Sequence, residues 1–166
     1  MNKKERMVLK KELKAIAKSD IKIDKEIYTY FMDNVKGVKF TDNEVVYLIH
    51  NFIYGYYFEE EDLEIKIVDF LFTQTTIKNH EKFDQLYIDS FENCCNASFE
   101  LLIKHNIIIL PKVILFAESY FKCIEHEIYF FIVQKIDEYK YMLNTLKIYS
   151  RKQKIENIRK RKYQVI

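Results

Sequence analysis

Residues 40–54, FTDNEVVYLIHNFIY, contain the clearest helix start in the chain. Thr41 and Glu44 have the spacing of a capping box, in which the threonine hydroxyl accepts a hydrogen bond from the Glu44 amide and the Glu44 carboxylate accepts one from the Thr41 amide. The apolar residues that follow recur at the spacing of one helical face: Val45, Leu48, Ile49, Phe52, Ile53 and Tyr56. The stretch therefore predicts an amphipathic helix.

The chain has two glycines, Gly37 and Gly55, and one proline, Pro111, among its 166 residues. Because glycine and proline supply most tight turns and breaks, this scarcity favours uninterrupted helices over a sheet. A glycine-rich phosphate loop, a nucleophile elbow or a dinucleotide fingerprint would need more glycines at fixed spacing. No catalytic motif is evident, and we expect neither an enzyme nor a bound cofactor.

Helical spacing extends over most of the chain, so we expect an all-α fold of about eight helices. They would form an irregular bundle or a short array of helical hairpins, ending in a long C-terminal helix that begins near Glu125. Residues 1–150 are expected to form a single α-helical domain, because the apolar stripe thins beyond Ser150. Residues 151–166 are expected to form a basic helical extension or tail.

Single residues predict several helix ends. Asp24 and Asn96 are candidate N-caps, and Pro111 suits the first turn of a helix. Gly37 is expected to end the second helix in the left-handed conformation that glycine adopts readily. The apolar run at 107–110 is the one candidate strand, and we interpret it as a buried connector because a proline follows it.

Charge is distributed unevenly along the chain. Residues 1–18 carry seven basic and two acidic side chains, and residues 147–166 carry eight basic and one acidic, so the middle of the chain is net acidic. The basic candidates for binding a macromolecule are Lys147, Arg151, Lys152, Lys154, Arg159, Lys160, Arg161 and Lys162. The acidic candidates are Glu59, Glu60, Glu61 and Asp62.

Each charged run has more than one interpretation. The basic run can be a solvated helix end, an intramolecular partner of the acidic middle, a nucleic-acid contact or a contact with an acidic protein. The acidic run can stabilise a helix N-terminus or contact a basic partner. Sequence-specific reading of nucleic acid is not expected, because only Tyr149 and Tyr163 are aromatic in the basic segment.

Three cysteines, Cys94, Cys95 and Cys123, indicate a reducing, intracellular setting, because an odd and partly vicinal set makes a poor disulfide framework. Cys123 and His126 supply half of a zinc ligand set, whereas Cys94 and Cys123 can equally occupy matching core positions on successive helices. The N-terminus lacks an apolar signal core, and no long apolar run is present, so we expect a cytoplasmic protein without membrane contact.

Short apolar triplets recur along the chain. FLF at 70–72, LLI at 101–103 and FFI at 130–132 align at helical-hairpin intervals, as do Ser90-Phe91-x-x-Cys94 and Ser119-Tyr120-x-x-Cys123. The stretch 63–110 resembles highly divergent ankyrin repeats, since residues 67–72 and 98–104 are similar to that family's second-helix pattern and Asn106 stands where its turn glycine often falls. The family's T-P-L-H-x-A start and hairpin glycines are missing. The resemblance implies protein binding and no catalysis.

We therefore expect a non-enzymatic protein that binds another macromolecule. The abundance of Ile, Lys, Asn, Tyr and Phe is typical of AT-rich genomes, which suggests a viral or phage-encoded inhibitor of a host factor. The alternative is a nucleic-acid or nucleoprotein binder that uses the basic N- and C-terminal segments. The sequence does not indicate the oligomeric state.

Overall fold

The computed structural model describes residues 2–126 and 135–163, and within these ranges the protein is all-α. The predicted fold class is therefore confirmed. The described helices are α1 (Lys3–Lys18), α2 (Lys25–Val35), α3 (Asp42–Ile53), α4 (Leu63–Phe72), α5 (Glu81–Glu92), α6 (Asn96–Lys104), α7 (Pro111–His126) and α8 (Ile136–Tyr163).

The described helices pack as a two-layered array of four helix pairs, here called hairpins. In chain order, the described helices pair as α1 with α2, α3 with α4, α5 with α6, and α7 with α8. The first helices of the pairs form one layer, in which they stack in the order α1, α3, α5 and α7. The second helices form the other layer, in the order α2, α4, α6 and α8. Each hairpin therefore supplies part of its neighbour's core, as in a helical-repeat protein. The pair α7 and α8 lies at one end of the described array.

The array agrees with part of the predicted repeat. Residues 70–72 and 101–103 lie in the last turns of α4 and α6, which stack on each other, whereas residues 130–132 fall outside the described ranges. The rings of Phe91 and Tyr120 also meet between α5 and α7, at 6.0 Å between centroids. A relationship to ankyrin repeats stays a prediction.

The connector before α7 is partly buried. Residues 107–110 form no strand and include the buried Ile107 and Ile109, which confirms the predicted connector. The Ile108 amide donates to the Lys78 carbonyl of the preceding connector at 2.8 Å. The Tyr87 hydroxyl donates to the Ile107 carbonyl at 3.0 Å. These bonds hold the two connectors against the array, beside α8.

The structure corrects four local predictions. Gly37 is not left-handed, and its amide donates to the Asn34 carbonyl; the one glycine with positive φ is Gly55 (81°), just after α3. Asn96 is the first residue of α6 rather than its cap, a position that Cys95 occupies. Glu125 lies inside α7, so the last helix does not begin there.

The cysteine alignment is the fourth correction. Cys94 is buried and lies beyond the end of α5 with φ of 50°, whereas Cys123 is exposed within α7. The two residues do not occupy matching positions because α7 extends farther past the aligned serine than α5 does. In the described ranges no group of three or more His, Cys, Asp and Glu side chains could hold a metal ion. The side chain of His126 lies outside the described set.

The predicted capping box of α3 is confirmed, and it also anchors α1. Glu44 accepts from the Thr41 amide, from Lys10 Nζ at 2.5 Å and from Lys14 Nζ at 2.7 Å. Part of the basic N-terminal segment thus pairs with the acidic middle of the chain. Burial alone would raise the pKa of Glu44, but these hydrogen bonds outweigh it and hold the pKa at about 2.

These contacts of Glu44 predict that the free energy of unfolding depends on pH. Because the folded pKa of Glu44 lies below its unfolded value, its stabilisation is complete above about pH 5 and is lost as the pH falls toward 2. We expect Glu44→Gln to lower the free energy of unfolding by about 1–2 kcal/mol at pH 7, after allowing for solvent screening, and by much less near pH 2. Urea unfolding at both pH values measures this. Glu125→Gln, at an exposed site, is the control, and an equal loss at both pH values would contradict the assignment.

Candidate functional site

The C-terminal half of α8 extends beyond the packed array. Among its described side chains the last polar anchor is Gln153, whose Nε2 donates to the Ile107 carbonyl at 2.9 Å and whose Oε1 accepts from the Ile109 amide at 3.0 Å. Every side chain from Lys154 to Arg161 is exposed. The helix nevertheless continues to Tyr163, which adds about 15 Å beyond Gln153 at 1.5 Å per residue.

Most of the basic candidates lie on this extension. Lys147 pairs with Glu118 of α7 at 2.8 Å, and Lys152 Nζ lies 4.8 Å from the centre of the Tyr149 ring. The remaining described members are exposed and form no ion pair with the described part of the chain: Arg151, Lys154, Arg159, Lys160 and Arg161. The backbone of Lys162 belongs to α8, but its side chain is not described.

Three isoleucines form an exposed apolar stripe along the same helix. Ile148 and Ile155 are 50% exposed and Ile158 is 56% exposed. Their spacing of seven and three residues places them on one helical face. We call this set the α8 stripe. Isolated exposed apolar residues are ordinary, but a stripe on a helix with basic neighbours has the pattern of a helix that docks into a groove.

A groove of about 240 Å³ follows the other side of α8 where the helix meets the connectors. Lys78, Tyr149, Lys152 and Lys160 line it together with Glu156. We call it the lysine groove. Three ammonium groups beside one tyrosine ring could hold a phosphate and a stacked base, although the carboxylate reduces the local positive charge.

The acidic candidates occupy a different place. Glu59, Glu60 and Glu61 are exposed in the connector before α4, and the Asp62 carboxylate accepts from the Glu59 amide at 2.9 Å. Asp62 also pairs with Lys22 at 3.2 Å. No ion pair in the described ranges joins this run to the basic residues of α8. The interpretation of the basic run as a partner of the acidic middle of the chain is supported at one position, where Lys147 pairs with Glu118, and the acidic run has no part in that contact.

Sequence reasoning missed two parts of this surface. Lys78 lies about 70 residues from Tyr149 in the chain, and only the packing of the connectors brings it beside α8. Gln153 looked like an ordinary polar residue of a tail, although its two hydrogen bonds fix where the extension begins. Ile155 and Ile158 were visible in the sequence, but their exposure depends on how α8 packs in the array.

The anchor predicts a difference between two truncations. Gln153→Ala should leave the Ile109 amide without its partner and lower the free energy of unfolding by about 1–2 kcal/mol, or the melting temperature by about 3–6 °C. Truncation after Ser150 also removes Gln153, so the domain should stay folded and its melting temperature should fall by the same small amount. Truncation after Gln153 should leave the melting temperature unchanged. Thermal unfolding of the three variants checks this. Unfolding of the chain truncated after Gln153 would show that the extension is structural.

None of the described helices is long and apolar enough to span a membrane. Comparison with protein-family models, with curated proteins and with solved structures gives no match to this chain.

Proposed function

We propose that this protein acts by binding another protein through the C-terminal half of α8. The observation that carries the proposal is the α8 stripe, which leaves three isoleucines half exposed on a helix that extends past its last anchor. An extension of about ten residues with little packing gains little stability from its own helix formation. A partner that covers the stripe would bury this apolar area and stabilise the helix.

The charge of the extension indicates the chemistry of the partner. Arg151, Lys154, Arg159 and Arg161 are exposed on the same helix and do not line the lysine groove. A partner with an apolar groove and an acidic rim would match both features. The basic rim would speed the encounter, and the stripe would supply most of the affinity.

A second candidate is nucleic-acid binding, and the lysine groove is the observation that favours it. It brings Lys78 together with two of the predicted basic residues beside the ring of Tyr149. Binding of this kind would depend on phosphate contacts and would not read sequence. The isoleucines of the stripe would have no role in it.

Salt dependence separates the two candidates. If nucleic acid binds through several phosphates, its affinity should fall by orders of magnitude between about 50 and 200 mM salt, whereas an interface centred on the stripe should keep most of its affinity. Fluorescence anisotropy with a labelled single-stranded oligonucleotide measures the affinity for nucleic acid at each salt concentration. Tight binding that survives nuclease treatment and higher salt would favour a protein partner.

The inhibitor role belongs to the same proposal. A protein without catalytic motifs alters its partner by occupying a surface, which is how an inhibitor of a host factor would act in the cytoplasm. The activity of the captured partner, measured with and without the chain, tests this role.

A further inference from the structure

A cavity of about 190 Å³ lies between the α1–α2 connector and the α3–α4 connector. Its lining includes Asp20, Ile23, Tyr56, Phe58, Asp62 and Glu64. We call it the Glu64 cavity. It has no residue in common with the α8 stripe or the lysine groove.

Glu64 has an incomplete set of hydrogen bonds. Its side chain is only 4% exposed, and its Oε1 accepts from the Ile23 amide at 2.6 Å. Its Oε2 has no hydrogen-bond partner among the described residues. Buried carboxylate oxygens are normally paired, because an unpaired one loses the hydrogen bonds it would make to water. Glu64 is one of the residues that line the cavity, and this oxygen of its carboxylate lacks a donor.

The mouth of the cavity carries further negative charge. Asp20 accepts from the Tyr56 hydroxyl at 2.6 Å, and Asp62 lies beside the exposed acidic run. Lys22 is the cation at the mouth, but its side chain is 80% exposed and pairs with Asp62 instead of Glu64. The rings of Tyr56 and Phe58, 5.8 Å apart, offer aromatic faces to a cation.

We propose that the Glu64 cavity binds the guanidinium group of an arginine side chain from a partner protein. A guanidinium supplies several N–H donors in one plane, sheds its hydration more readily than an ammonium and stacks on aromatic rings. One such group can donate to Glu64 Oε2 while its face lies against an aromatic ring. This proposal does not depend on the role of α8.

The test is a nuclear magnetic resonance titration of the full-length chain with N-acetyl-arginine-methylamide. The Ile23 amide reports on the site because it donates to Glu64. We expect a saturable shift of its resonance, with a dissociation constant on the order of 1 mM for a ligand of this size. The citrulline analogue has the same shape without the charge and should bind at least about tenfold more weakly. This comparison needs no variant.

Two variants locate the site. Glu64→Gln keeps an acceptor for the Ile23 amide but removes the charge, and it should weaken arginine binding at least about tenfold. Glu61→Gln, at an exposed position of the α3–α4 connector, should change arginine binding less than about twofold. The proposal is overturned if the Ile23 resonance does not move at concentrations far above the expected constant, or if citrulline or Glu64→Gln binds equally well. If free arginine binds much more tightly than N-acetyl-arginine-methylamide, the ligand of the cavity is the free amino acid and not an arginine side chain of a protein.

Discussion

Replacing Phe99 by alanine is expected to lower the free energy of unfolding by about 3–5 kcal/mol, the usual cost of deleting a buried phenylalanine. Phe99 is fully buried in α6 and meets the ring of Tyr87 in α5 edge-on, at 6.1 Å between centroids. In a chain of this size the melting temperature should fall by about 10 °C or more. Because α6 packs on both α4 and α8, the cavity lies at the centre of the stacked second helices.

Tyr57→Ala is the control for this substitution. Tyr57 is a large aromatic residue with a mostly exposed side chain, and its removal should change the free energy of unfolding by less than about 1 kcal/mol. Urea unfolding followed by circular dichroism measures both variants. If Phe99→Ala lowers the free energy of unfolding no more than Tyr57→Ala does, α6 is not central to one cooperative core.

The double substitution Ile155→Asp and Ile158→Asp is expected to weaken binding of the protein partner by about 100-fold or more, because hot-spot apolar contacts contribute about 2 kcal/mol or more each. Both isoleucines lie beyond Gln153 and are at least half exposed, so the melting temperature should not change. Surface plasmon resonance with the captured partner, together with a thermal unfolding curve, measures the two effects separately.

A matched control lies at the other end of the array. Met7 and Val8 of α1 are also at least half exposed, and Met7→Asp with Val8→Asp introduces the same two charges there. This variant should bind the partner like the wild type. If both double variants lose binding equally, added negative charge and not the α8 stripe explains the loss.

Local signals in the sequence predicted much of the fold. The capping box of Thr41 and Glu44 and the position of Pro111 each depend on a few neighbouring residues, and the structure confirms both. The helix count follows from periodicity in the same way. These features can be predicted without knowing how the helices pack against one another.

Features set by distant contacts were not predictable in this way. Gly55 rather than Gly37 is left-handed because the chain turns there so that the Gly55 amide can donate to Asp89 of α5. Gln153 anchors α8 to the connector before α7, more than 40 residues away in the chain. The burial of Glu64 likewise depends on two connectors that meet only in the folded array. The candidate sites were therefore visible as charged runs, but their geometry was not.

The central claim is that the C-terminal half of α8 binds a protein through its isoleucine stripe. Its most direct test is a pull-down from an extract of the cells in which the protein is made, before and after nuclease treatment and at about 50 and 200 mM salt, because phosphate-dependent binding weakens at the higher salt concentration. The account predicts that one protein is retained by the wild type and by the Met7 and Val8 variant at both salt concentrations and is lost from the Ile155 and Ile158 variant. Equal retention by all three, or capture that disappears after nuclease treatment, would contradict it.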